Sequence, residues 1–195
     1  WEGGEGLVSG AYSNAHWLCG LNALEAGNAA AALQHFRQGS KFPANLGEHP
    51  GAGSTVHLMY AEGLAHEALG QVEEARASFE RVLTLPGGHS LVGIYQGQAL
   101  IRLGRAEEGQ NGLLELRKWA DESAEAAPVS NYFYSGHPSP TFEDDPRKQH
   151  RMAHLFLSGM AALALGDRAG AKSALGQVLA VDPCHLLAYI AYQKL

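Results

Sequence analysis

Two histidines stand four residues apart in the stretch HRMAH, His150 and His154. On a helix this spacing sets both rings on one face, which is how a helix offers two nitrogen ligands to zinc. The zinc-hydrolase pattern needs a glutamate directly after the first histidine, and Arg151 stands there instead. A third ligand would have to come from His137, Glu143, Asp144 or Asp145. Ten histidines in 195 residues produce such pairs by chance, so surface or hydrogen-bonded histidines are expected and no metal or cofactor is assigned. The acids 143–145 read as a solvated turn and helix cap rather than as a catalytic pair. No serine elbow, phosphate loop, CxxC pair or dinucleotide fingerprint occurs. GAGS at 51–54 has no strand before it and no lysine after it. No catalytic residue is assigned, and the chain is not expected to be an enzyme, whatever a longer protein containing it does.

What remains is architecture and binding. Hydrophobic residues make up 46% of the chain, enough to bury a core. The formal net charge of −6 leaves no basic stripe to displace counterions from phosphates, so nucleic acid is not an expected partner. No apolar run reaches membrane-spanning length and no signal peptide is visible. The first residue is Trp1 rather than Met, as expected of a processed chain or a piece of a longer polypeptide. Only Cys19 and Cys184 occur, near opposite ends. They are expected to be small core residues rather than a disulfide framework, with the cytoplasm as the default location.

The elements are set by internal repetition. Four segments carry two glycines seven residues apart: Gly20 and Gly27, Gly63 and Gly70, Gly97 and Gly104, Gly159 and Gly166. Five residues after each second glycine comes a small residue (Ala32, Ala75, Gly109, Ala171), and four further on a large apolar one (Phe36, Phe79, Leu113, Leu175). Pro43, Pro86 and Pro183 follow in three of the four. This pattern predicts helix–turn–helix hairpins. The first glycine allows close approach of a neighbouring helix. The second ends helix A in a left-handed backbone, and proline stops helix B.

The pattern resembles the tetratricopeptide repeat. The family's helix A glycine, turn glycine, helix B alanine and closing proline map onto the residues just named. The resemblance covers residues 13–46, 56–87, 90–121 and 152–183 and implies an all-α fold: one domain over 1–195, an antiparallel helix-hairpin array wound as a right-handed superhelix. Glu62, Gln96 and Ser158 depart from it, standing where leucine is usual. CHLLAYIAYQKL reads as a capping helix over about 184–194, with Leu186, Leu187, Ile190 and Ala191 on one face. Residues 1–12 are glycine-rich and expected to be poorly ordered unless Trp1 or Leu7 docks.

The spacing breaks twice, within SKFPANLGEHPGAGST and over 122–145. In the second insert Asp145 and Pro146 read as an N-cap and first helical residue. The residues before it, with Tyr132, Phe133, Tyr134, His137 and Phe142, carry a large aromatic payload and are expected to fold back on the array as a plug or a wall of a binding site. The two inserts and the flanking repeats are also similar to the C-terminal repeat region of large bacterial proteins whose N-terminal domain is β-rich and sugar-module-like. The residues that carry this are Phe42, Pro43, Asn45, Leu46 and Gly47, with Tyr132, Phe133, Ser135, Pro138, Phe142 and the acids 143–145.

Carried over by position, the repeat resemblance places Trp17, Leu21, His57, Tyr60, Leu64, Ile94, Gln98, Arg102, Phe156 and Met160 on the concave face of the helices A. The family's clamp for C-terminal carboxylates needs lysine and asparagine where Trp17, Leu21, Tyr60 and Leu64 stand, so that mode is not implied. The expected function is a protein-binding scaffold whose partner is a protein, a peptide or another domain of the same polypeptide, with self-association open. The alternative is an accessory region of a carbohydrate-active protein, with Trp17, Tyr132, Tyr134 and the acids 143–145 facing a sugar.

Overall fold

The computed structural model describes residues 7–41, 53–126 and 145–195. Among these residues the chain is all-α. Its helices are α1 (Leu7–Glu25), α2 (Ala29–Gly39), α3 (Val56–Ala68), α4 (Val72–Leu83), α5 (Leu91–Arg102), α6 (Ala106–Ala124), α7 (Pro146–Ala164), α8 (Arg168–Val181) and α9 (Leu186–Gln193). They form two compact units, residues 1–88 with 95–109 and residues 89–94 with 110–195.

The turns follow the glycine pattern. Gly27, Gly70, Gly104 and Gly166 have φ of 75°, 69°, 81° and 82°, a region that costs an L side chain strain. After each, the next backbone N–H reaches back to a carbonyl five residues earlier: Asn28 to Ala23, Gln71 to His66, Arg105 to Leu100 and Asp167 to Ala162. This is the Schellman closure, which satisfies carbonyls the helix end would leave unpaired.

The first glycines of each pair serve the crossings. A Cβ on Gly20 or Gly63 would overlap the ring of Phe36 or Phe79, and both rings are buried. A Cβ on Gly159 would lie 2.8 Å from Leu175 Cγ. In the third hairpin a Cβ on Gly109 would strike the carbonyl oxygen of Gly97, so helix α6 must be bare there.

Helix α7 begins as expected: Asp145 accepts a hydrogen bond from the Arg147 N–H and Pro146 follows at the first helical position. Helix α6 runs on to Ala124, as DESAEAA suggested.

Three expectations are corrected. Residues 7–12 are not poorly ordered but form the start of α1, tied down by buried Ser9 and by Ser13, whose hydroxyl donates to the Gly39 carbonyl at 2.9 Å. Cys19 and Cys184 are exposed rather than in the core. Cys19 lies on the outward stripe of α1 with Ala11 and Ala15, and Cys184 sits in the α8–α9 turn, its N–H held by Asp182. Helix α9 packs on α8 and α7, but the residues it buries are Ala188 and Ala191; Leu186, Leu187 and Ile190 are half-buried.

Candidate binding face

In the first unit α1, α3 and the later part of α5 carry the residues assigned to the groove. Trp17 and Tyr60 are buried, Leu21, Leu64 and Gln98 are half-buried, and Arg102 is exposed. Trp17 meets His57 edge-on, ring centroids 5.2 Å apart. Tyr60 packs between Phe79 and Tyr95, both centroids 5.4 Å away. Arg102 ties this aromatic floor to the surface: it hydrogen-bonds the Tyr60 hydroxyl and donates to Glu67 Oε2 at 3.1 Å. Burial raises the Tyr60 phenol, against the pull of the Arg102 bond. Tyr95 is also raised by its burial. Both hydroxyls stay neutral at physiological pH.

His57 is 4% exposed, and its Nε2 is buried without a hydrogen-bond partner. Burial pushes it down to about 4, so the ring is neutral at pH 7. Leu21 and Leu64 stand one helical turn beyond Trp17 and Tyr60 on their helices, so they share those faces.

The positions where leucine is usual carry polar anchors instead. Glu62 is buried and takes a 3.1 Å ion pair from Arg81 of α4. The Gln96 amide donates to the Leu85 carbonyl at 2.8 Å, just past the end of α4. Ser158 donates to Asp121 of α6 at 2.5 Å. Each satisfies a polar group that burial would otherwise penalise.

In the second unit Phe156 and Met160 are buried in α7, and Phe156 packs on the His185 ring at 4.5 Å. His150 and His154 do come together, centroids 4.2 Å apart. Their protons are spoken for: His150 Nε2 donates to the Ser123 carbonyl at 2.9 Å, and His154 Nδ1 to the His150 carbonyl at 2.7 Å. His154 also meets Trp119 at 5.0 Å, and Trp119 stacks on His89 at 4.5 Å and 12°. Among the described residues no three histidines, cysteines or acids are grouped as metal ligands. His137, Tyr132, Phe133, Tyr134, Phe142, Glu143 and Asp144 lie outside the described residues.

Sequence reasoning missed Tyr95, Trp119, His89 and the His16–His35 pair. The tyrosine had a signal, since it precedes the third helix A glycine within a buried stretch. The ring contacts between distant histidines had none, because they join residues 19 to 35 positions apart.

Two hairpins, one in each unit, carry a family match. Residues 56–89, covering α3 and α4, and residues 155–183, covering most of α7 and all of α8, each match the tetratricopeptide repeat. No solved structure matches the chain. The glycine pattern and these two matches together support the tetratricopeptide repeat as the family that this chain's hairpins resemble.

Proposed function

We propose that the chain is a protein-binding, scaffolding module of helical repeats that performs no catalysis itself. Tetratricopeptide repeats generally mediate protein–protein interaction, and two hairpins here are similar to them. The observation that carries the reading is the face shared by α1, α3 and α5 in the first unit. It has a buried aromatic floor, half-buried Leu21 and Leu64, and the exposed Arg102 held by Tyr60 and Glu67. Such a face offers apolar contact with one oriented polar point, which suits a peptide or a segment of another protein. No helix among the described residues is long and apolar enough to cross a membrane. The cytoplasm remains our proposal for its location.

The carbohydrate alternative rests on resemblance alone. Of its aromatic residues only Trp17 is described, and Trp17 is buried against His57, which leaves little ring for a sugar to stack on.

The test is selection of peptides from a display library on the purified chain, followed by affinity for three forms. Leu21→Lys/Leu64→Lys is expected to weaken selected peptides by at least about tenfold while circular dichroism stays unchanged. Val72→Lys, on an exposed site of α4, is expected to leave affinity alone. Peptides that bind the groove variant as well as the parent would place binding elsewhere.

A further inference from the structure

Four histidines of the first unit hold its first three helices together: His57 and His66 join α3 to the α1–α2 hairpin, and His16 and His35 meet inside that hairpin. His57 of α3 presses on Trp17 of α1 with its Nε2 buried and unpartnered. His16 of α1 and His35 of α2 meet Nδ1 to Nδ1 at 3.2 Å. One nitrogen must donate and the other accept. His66 of α3 receives Arg37 of α2 on Nε2 at 3.3 Å. Arginine only donates, so the His66 proton sits on Nδ1 and goes to Gln71 Oε1 at 2.6 Å.

The neighbouring groups do not offset these charges. Tyr12 lies edge-on to His16, Glu62 is engaged by Arg81 of α4, and Glu67 by Arg102 of α5. No carboxylate pairs with the four histidines among the described residues.

We propose that proton uptake at this cluster releases the α1–α2 hairpin from α3, so that the first hairpin is an acid-sensitive latch. The sign follows from which state holds the proton. His57 is lowered to about 4 by burial, and His16 is lowered by burial and then by His35. An opened hairpin therefore binds protons more tightly than the closed one. The closed form has its full advantage above about pH 6.5, the ordinary histidine value, and loses it as pH falls toward 4. An opening that exposes His57 becomes about thirtyfold more favourable at about pH 5 than at about pH 8.

The second unit lacks this logic. His150 and His154 donate to backbone carbonyls rather than leaving a nitrogen buried and unpartnered. His89 stacks on Trp119. His185 accepts from the Ala188 N–H, a cap local to the start of α9.

The test is amide hydrogen exchange of the whole chain at about pH 8 and about pH 5, corrected for the intrinsic pH dependence of exchange. Protection in α1 and α2 is expected to fall about thirtyfold more than in α7 and α8. His57→Phe keeps a ring against Trp17 and is expected to remove most of the difference. His57→Leu, which also removes the titrating ring at the α3 seam, is expected to do the same, and it decides the matter should His57→Phe not fold. Equal loss of protection in all helices, no loss in α1 and α2, or an unchanged pH response in both variants would overturn the proposal.

Discussion

The α3–α4 and α7–α8 hairpins both match the same repeat family, yet they close their crossings differently. In α3–α4 a flat, buried Phe79 ring lies directly on Gly63, with no room for a methyl group. In α7–α8 the branched Leu175 covers Gly159, and the nearest atom to an added Cβ would be 2.8 Å away, with Ala174 Cβ at 3.3 Å. The same glycine is thus required to different degrees: an aromatic on helix B needs the whole backbone surface, and a leucine needs somewhat less. The polar anchors differ too. Glu62 is paired within its own hairpin, by Arg81 of α4, whereas Ser158 joins α7 to α6 through Asp121. A repeat can lose its usual leucine when a neighbouring helix supplies a partner.

The largest expected effect is removal of the ring itself. Phe79→Ala should cost roughly 3–5 kcal/mol of unfolding free energy and Leu175→Ala roughly 2–5, by transfer and cavity terms together. Urea titration followed by circular dichroism checks both, and a loss under about 1 kcal/mol at either site would contradict its burial. Next come the glycines. Overpacking at Gly63→Ala should cost roughly 2–3 kcal/mol, because a rigid ring must move. Gly159→Ala should cost about 1 kcal/mol, since leucine can turn aside and alanine favours the helix. Equal losses would erase the distinction between the two crossings. The smallest effect lies at the entry to α7: Asp145→Ala removes the side-chain cap on Arg147 N–H and should cost about 1 kcal/mol. Hydrogen exchange of the first turn of α7 would show it, with faster exchange confined to that turn.

Much of the fold was legible because glycine pairs seven apart mark both a crossing and a turn, two requirements that no other residue meets as well. Asp145 and Pro146 announced the start of α7 through local cap chemistry alone. Helix α1 before residue 13 was harder to see, because Gly10 and two serines disguise it. Its stability comes from Ser13 reaching Gly39, a contact 26 residues away. The cysteines misled for a related reason: cysteine is usually buried, but Cys19 falls on the side of α1 away from α2 and α3. At the candidate face the positions of Trp17, Tyr60 and Arg102 came from the repeat register. Their degree of burial, the Tyr60–Arg102 bond and the Tyr95 ring did not, since these depend on side chains from helices far apart in sequence. The unpartnered nitrogen of His57 had no sequence signal at all.

The most direct measurement is a double-mutant cycle on the α3–α4 crossing: Gly63→Ala, Phe79→Leu and the combination, each unfolded in urea. If glycine is kept there to receive the ring, Gly63→Ala should cost at least about 1 kcal/mol less in the Phe79→Leu background than in the parent. Additive losses, with Gly63→Ala equally damaging beside phenylalanine and leucine, would contradict the account.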